Sequence, residues 1–237
     1  MFFMEAILHS IGGVVGSVCW FGCSDLAMEF NPYTLNGGTA LGISGKDFAL
    51  VASDTRLTDE NMGLLFSRDS PHIYEVICLT GFHGDIITFI KLLESHIKEY
   101  LYQHKREIPL TALANLVSVC LYSRRFFPFY VSAILAGIDE DGRGAIFSFD
   151  PVGSYEREVY RACGTGGAIL QPFMDSQIGG PDLVADCVEM EKGPAVRLAR
   201  DVFISATERD IYCGDSVVID VITASGVNRV CYPLRRD

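Results

Sequence analysis

The chain has 237 residues, of which 49% are hydrophobic, and its formal net charge at pH 7 is −11. This length suits one generous domain or two small ones, with enough apolar residues to fill a large core. The acidic balance argues against a nucleic-acid partner, because phosphate binding requires a basic face.

Residues 1–35 are predicted to be an N-terminal extension or a pro-segment. Residues 11–23 are apolar, as in the core of a secretory signal, but no Lys or Arg precedes them, whereas such a signal begins with positive charge. The run is also shorter than the about 20 apolar residues that a membrane-spanning helix needs. We therefore favour an extension over a targeting sequence and expect no membrane partner.

The first predicted elements are a β-hairpin, a strand and a helix. Apolar runs at residues 41–44 and 48–53 flank Gly45-Lys46-Asp47, which is typical of a hairpin turn. Residues 74–79 are a further candidate strand. From Ile86 to Leu101, apolar side chains recur at helical spacing, with Lys and Glu on the remaining face.

A second helix follows directly. Pro109 breaks the first one, and residues 110–121 again place apolar side chains on one face, so the two helices should pack antiparallel. At the start of the first helix, Asp85 is the predicted N-cap.

The second half of the chain repeats the order of strands and helices. A turn at residues 139–142 joins two predicted strands, and Pro194 is predicted to be the first residue of the last helix. The remaining predicted elements are strands at 130–138 and 144–149, a helix at 166–176, and a closing hairpin of strands 216–223 and 227–232.

Segregated runs of strands and helices indicate an α+β fold with antiparallel sheets. About ten strands and two helix pairs suit two stacked sheets with a helical layer on each outer side. We therefore predict one domain, at residues 36–237, with neither an internal repeat nor a linker.

The sequence offers no pattern for a metal or a cofactor. None of the eight cysteines forms a C-x-x-C pair, and the nearest spacing is that of Cys19 and Cys23, so zinc is not expected. The glycine-rich strings at residues 36–39 and 164–167 match no phosphate-binding pattern and are interpreted as turns. Free thiols indicate a reducing compartment, the cytoplasm or the nucleus.

A serine-hydrolase triad is also not supported. The sequence contains no G-x-S-x-G elbow, and a triad requires nucleophile, base and acid together. His83 is placed at a loop-to-helix junction, while His96 and His104 fall on the polar side of the first predicted helix.

The informative segment begins at Asn36-Gly-Gly-Thr39 and reaches the turn Asp54-Thr-Arg56. It resembles the start of proteasome beta-type subunits, and the resemblance continues in order to residue 237. Two strings, Ser-Arg-Arg-Phe-Phe-Pro and Phe-Asp-Pro-Val-Gly-Ser-Tyr, resemble the non-catalytic sixth beta class in particular. The further matching segments are residues 67–71, 80–85, 122–131, 147–155 and 201–215.

The resemblance implies the four-layer αββα sandwich of N-terminal nucleophile hydrolases. Active members of that family use an N-terminal threonine, with a lysine and an aspartate that assist its hydroxyl. Counting back from Asp54, which matches the aspartate, the nucleophile position falls on Gly38. No lysine occurs between Lys46 and Lys91, and His72 stands nearest the place of the catalytic lysine.

The rest of the family's site is also altered. By the same resemblance, Thr165 takes the place of a serine, Asp210 matches a second aspartate, and Cys213 replaces another serine. We therefore expect no catalytic residue in this chain and interpret these positions as degenerate.

One alternative remains, an active threonine protease cut between Gly38 and Thr39. Cleavage there would expose Thr39 one residue out of register with Asp54. Because a one-residue shift turns a strand side chain to the opposite face, the hydroxyl is expected to point away from the site.

The resemblance also implies partners. These are the other beta subunits of a seven-membered ring, the opposing beta ring, the alpha ring, and polypeptide substrates of the complex. In this family a subunit also lends residues to its neighbour's cleft, and the resemblance places Asp150 in the wall of the adjacent chymotrypsin-like site. A turn residue is the competing interpretation, since Asp-Pro-Val-Gly is good turn chemistry.

Overall fold

The computed structural model describes residues 33–179 and 190–237, and residues 33–237 form one compact unit. The predicted extension lies almost wholly outside the described residues, so its boundary at residue 35 stays a prediction. The described strands are β1 (Thr39–Ser44), β2 (Phe48–Asp54), β3 (Leu57–Asp59), β4 (Leu64–Ser67), β5 (Ile73–Tyr74), β6 (Ile77–Gly81), β7 (Val131–Ile138), β8 (Gly144–Phe149), β9 (Tyr155–Glu158), β10 (Tyr160–Gly164), β11 (Ser216–Thr223) and β12 (Gly226–Pro233). The described helices are α1 (His83–His104), α2 (Leu110–Tyr122), α3 (Gly167–Gln177) and α4 (Lys192–Thr207).

The strands form two five-stranded antiparallel sheets and a separate two-stranded hairpin. The first sheet has the order β10-β1-β2-β11-β12, and the second has the order β5-β6-β7-β8-β9. Strands β3 and β4 pair only with each other. In the first sheet β1 lies between β10 and β2, which places the start of β1 against two neighbouring strands.

Three apolar cores define four layers. One core joins the first sheet to α3 and α4 through side chains such as Leu41 and Phe203. Another joins the second sheet to α1 and α2 around Phe89. The third lies between the sheets and includes Val51 and Ile146. The predicted αββα sandwich is therefore confirmed.

The hairpin of β1 and β2, the two antiparallel helices and the closing hairpin are confirmed near their predicted bounds. The single strand predicted at residues 74–79 is wrong. Glu75 has a φ of 56°, which breaks the extended chain and separates β5 from β6. A left-handed residue at this point lets the two short strands pair with each other.

Two helix starts differ from prediction. The N-cap of α1 is Phe82, not Asp85, and the side chain of Asn36 accepts the backbone N–H of His83 at 2.8 Å. Asp85 instead accepts the N–H of Tyr130. Helix α4 begins at Lys192, so Pro194 is its third residue rather than its first. Proline is tolerated there because the first four helical N–H groups lack intrahelical partners.

Strands β3, β4, β9 and β10 were not predicted individually. Strand β4 has the sequence Leu-Leu-Phe-Ser and β9 has Tyr-Glu-Arg-Glu, and both are largely exposed. Without one buried face, a strand lacks the alternation of apolar and polar residues on which sequence recognition depends. Among the described helices, none combines the length and the hydropathy that crossing a membrane requires.

Candidate functional site

The predicted nucleophile position, Gly38, lies directly before β1 and faces the imidazole ring of His72. Gly38 has a φ of +90°, and a Cβ added there would lie 2.9 Å from both Cε1 and Nε2 of His72. The ring therefore fills the space that a side chain at position 38 would occupy. His72 is held in place by its backbone N–H, which donates to Ser53 Oγ at 3.2 Å.

Asp54, at the end of β2, is fully buried beside Gly38. Its Oδ1 accepts the N–H of Thr39 at 2.8 Å, and its Oδ2 accepts the N–H of Gly214 at 3.3 Å. Burial raises the pKa of the Asp54 carboxyl to about 8, although these backbone hydrogen bonds act in the opposite direction. The shift favours the protonated form of this carboxyl.

His72 is the residue nearest the lysine place, and it lies next to Asp54. Its Nε2 is 3.8 Å from Asp54 Oδ1 and 3.2 Å from the carbonyl oxygen of Arg56. Burial lowers the pKa of His72 to about 4, so the ring is neutral at pH 7. A neutral His72 cannot provide the fixed cation that a lysine would supply.

Three further predicted positions lie around the side chain of Thr39. Thr165 Oγ1 is 3.4 Å from Thr39 Oγ1, and the N–H of Gly166 donates to the same oxygen at 3.0 Å. The Cys213 thiol is buried, which raises its pKa, and a hydrogen bond with the Thr39 side chain acts in the opposite direction. Asp210 accepts the N–H of Tyr212 through Oδ1, whereas its buried Oδ2 has no hydrogen-bond partner.

The Thr39 hydroxyl contacts Thr165 and Gly166 rather than His72. With respect to His72, it therefore points in the direction expected from the one-residue shift. The prediction that the hydroxyl points away from the whole site is wrong, since Thr165 belongs to the predicted set. The main-chain N–H of Thr39 donates to Asp54 Oδ1 at 2.8 Å. Among the described residues, no lysine forms an ion pair or a hydrogen bond with Asp54.

Asp215, which is not among the predicted site residues, ties the loop that carries Cys213 and Gly214 to Arg56 and Arg68. Asp215 is fully buried and has a φ of 67°. Its carboxylate accepts Arg56 Nε at 2.9 Å and Arg68 Nη1 at 2.6 Å. Because Arg56 and Asp215 are 159 residues apart in the chain, no local pattern could have paired them.

Asp150 lies apart from these residues, at an open cleft of about 330 Å³. Its Oδ1 accepts the N–H groups of Val152 at 3.0 Å and Ser154 at 2.8 Å, so the carboxylate caps its own turn. Glu156 and Glu158 also line the cleft. Asp150 therefore stabilises its own turn and also lines the cleft.

No described group of His, Cys, Asp and Glu residues could hold a metal ion.

Comparisons with known proteins match the sequence of this chain to the proteasome subunit family. The profile of the proteasome subunit family matches residues 34–222. Proteasome subunit beta type-1-B of Carassius auratus is 47% identical over 215 residues, which are 88% of this chain and 90% of that protein. Proteasome subunit beta type-1 of Drosophila melanogaster is 41% identical and covers 88% and 92% of the two chains. Proteasome subunit beta type-6 of Saccharomyces cerevisiae is 40% identical with the same coverage.

Proposed function

The chain belongs to the proteasome subunit family, and we propose that it is a non-catalytic beta-type subunit of the 20S core particle. Its role is structural: it completes a beta ring and helps to shape the adjacent chymotrypsin-like site in ATP- and ubiquitin-dependent protein degradation. The observation that carries the proposal is the pairing of Gly38 with His72 at the place of the nucleophile and its lysine.

This pairing removes both reactive groups of a threonine protease. Glycine has no hydroxyl, and a hydroxyl becomes a nucleophile only when a base or a nearby cation assists it. His72 is neutral at pH 7 because its pKa is lowered to about 4. Its ring also occupies the space in which a side chain at position 38 would have to lie. Both the missing hydroxyl and the position of the His72 ring support a site without peptidase activity.

The alternative of an active protease cut between Gly38 and Thr39 is not favoured. The Thr39 hydroxyl accepts a hydrogen bond from Gly166 and lies beside Thr165, and neither group is a base or a cation. The names of the related beta type-1 subunits agree with a place in a proteolytic complex and give no reason to assign the chemistry to Thr39.

The same proposal covers partners and location. We expect a seven-membered beta ring that contacts the opposing beta ring and an alpha ring, with polypeptide substrates inside, in the cytoplasm and the nucleus. Exposed large side chains support an assembled state, because monomers rarely leave extensive apolar patches open to water. Such side chains on the described surface include Met62, Phe66, Tyr122, Phe126 and Ile211.

The absence of peptidase activity is tested with an activity-based probe for N-terminal threonine, applied to particles that contain this chain. We expect other beta subunits to be labelled and this one to stay unmodified. Gly38→Thr alone should also stay unlabelled, because His72 still stands where lysine is needed. Labelling at Thr39, located by peptide mass spectrometry, would overturn the proposal.

Asp150 is proposed as a wall residue of the neighbouring site because its turn borders the open cleft. Only Oδ1 has recorded hydrogen bonds, to Val152 and Ser154, so capping the turn leaves Oδ2 for a substrate. A carboxylate at this rim would favour basic groups and disfavour acidic ones.

Asp150→Asn is expected to change cleavage specificity modestly. Asparagine keeps the oxygen that caps the turn and removes only the charge. For fluorogenic peptides with Lys or Glu at the third position before the cut, the preference for Lys should fall by up to about fivefold, since partly solvated charge interactions are worth about 1 kcal/mol or less. Asp201→Asn on α4 is the control and should change nothing. If Asp150→Asn also leaves both rates unchanged, Asp150 is a turn residue only.

A further inference from the structure

Charge is distributed unevenly along this acidic chain. Asp and Glu number 30 in the whole sequence, yet residues 108–138 contain neither. The charged side chains of that stretch are Arg124 and Arg125. They lie immediately after α2, between Tyr122 and the pair Phe126-Phe127. We refer to Tyr122, Arg124, Arg125, Phe126 and Phe127 as the aromatic tip.

Backbone hydrogen bonds hold the aromatic tip in a fixed conformation. The N–H of Arg124 donates to the Leu121 carbonyl at 3.1 Å, that of Arg125 to the Tyr122 carbonyl at 3.0 Å, and that of Phe127 to the Arg124 carbonyl at 2.9 Å. Successive turns therefore continue the direction of α2. The tip does not need to become ordered when it binds, which lowers the entropic cost of binding.

One side of the aromatic tip packs against other aromatic rings, and the rest of it is exposed to solvent. Tyr33 packs against Phe127 with ring centroids 6.0 Å apart, and it also contacts Phe82 and Tyr130. In contrast, Phe126 is 100% exposed, Phe127 is 68% exposed and Tyr122 is 62% exposed. Aromatic residues and arginine are the types that protein interfaces concentrate at their energetic centres.

We propose that the aromatic tip docks into an apolar socket with a rim of carboxylates on a different subunit of the particle. The inference rests on the proposed function, because it requires an assembly. Two arginines without neighbouring acidic residues in sequence call for a negative partner surface. Among the described residues, neither Arg124 nor Arg125 forms an ion pair, and the Arg124 guanidinium lies 5.6 Å from the centre of the Phe129 ring.

A second copy of this chain does not fit the tip equally well. A symmetric contact of tip against tip would bring four guanidinium groups together, because such an interface pairs the same patch from both copies. Like charges at an interface disfavour association. The occupant is therefore a non-identical protein surface that supplies both the apolar socket and the negative charges.

The first experiment measures incorporation of tagged chains into the particle in cells, by native gel electrophoresis. Phe126→Ala and the double variant Arg124→Glu/Arg125→Glu should each reduce incorporation by about tenfold or more, as expected for residues at an energetic centre. Phe126→Leu and Arg124→Lys/Arg125→Lys preserve apolar character and charge, respectively, and should be incorporated normally. Because Phe126 is fully exposed, its truncation should leave the chain's own thermal unfolding unchanged.

The lysine double variant also identifies the partner. A zero-length carbodiimide reagent joins a lysine amine to a carboxylate in direct contact. We expect cross-links from position 124 or 125 to an Asp or Glu of another subunit. The inference is overturned if the wild-type chain is incorporated while both disruptive variants are incorporated equally well, or if the cross-links lead to a second copy of this chain. If the wild-type chain itself is not incorporated, the proposed function fails instead.

Discussion

Replacing Gly164 with alanine is expected to lower the free energy of unfolding by at least about 3 kcal/mol, because backbone strain and steric overlap add at one position. Gly164 has a φ of +89°, and an added Cβ would overlap the carbonyl oxygen of Gly38. That carbonyl also accepts the N–H of Thr165 at 3.1 Å, so neither strand can yield without breaking the pairing of β1 with β10. Thermal unfolding of the purified chain should show a midpoint about 6–12 °C lower.

The matched control for this change is Gly142→Ala. Gly142 also has a positive φ, +76°, but an added Cβ would meet nothing within 4 Å. Gly142→Ala should therefore lower the free energy of unfolding through backbone strain alone, by about 1–2 kcal/mol. Equal losses of stability in the two variants would contradict the close approach of β1 and β10 beside the candidate site.

Replacing Asp215 with alanine is expected to cost about 3–5 kcal/mol, because it leaves buried arginine charge without its partner. Arg56 would lose the bond from Nε, and Arg68 the bond from Nη1. The loop at residues 211–215 would then lose its ties from Asp215 to Arg56 and Arg68. It would keep the bonds from Arg56 to the Ile211 carbonyl and from the Gly214 N–H to Asp54. Urea unfolding of the purified chain measures the change.

Two comparisons separate the charge from other effects. Asp215→Asn tolerates the positive φ of this residue and keeps one acceptor, so its loss should be smaller than that of alanine. Glu94→Ala removes an exposed ion pair with Lys98 and should cost less than about 1 kcal/mol. A loss for Asp215→Ala no larger than that for Glu94→Ala would show that the buried cluster does not hold the loop.

The parts of the fold that the sequence predicted are those whose burial leaves a local pattern of apolar residues. Helix α1 repeats apolar residues at Ile86, Phe89 and Leu93, all buried, and this period alone identifies it. Strands β1 and β2 are buried throughout and mostly apolar, because both of their faces are covered by core. The turn between these two strands was predicted from Gly45-Lys46-Asp47, which is a typical hairpin-turn sequence.

Features that depend on distant contacts could not be predicted. The cap of α1 comes from Asn36, 47 residues earlier in the chain, so the local candidate Asp85 was a reasonable but wrong choice. The break at Glu75 requires a left-handed residue that is not glycine, and no turn signal marks it. In both cases tertiary contacts override the local pattern.

The candidate site was predicted through counting and resemblance rather than through chemistry. By the resemblance, the spacing from Asp54 assigns the nucleophile position to Gly38, and His72 is the residue nearest to the expected lysine. The contact between Gly38 and His72 could not be predicted from the sequence. The raised pKa of Asp54 and the lowered pKa of His72 could not be predicted either, because they follow from burial. Asp215 ends the matching segment 201–215, but nothing in that segment marks it as the partner of Arg56 and Arg68.

The most direct test of the account is the state of the chain in native extracts. Size-exclusion chromatography, followed by peptide mass spectrometry of each fraction, should find the chain in a large complex together with other proteasome beta subunits and alpha subunits. That result would agree with a structural subunit of the core particle. A single peak near the mass of one subunit, with none of the chain in a larger complex, would contradict it.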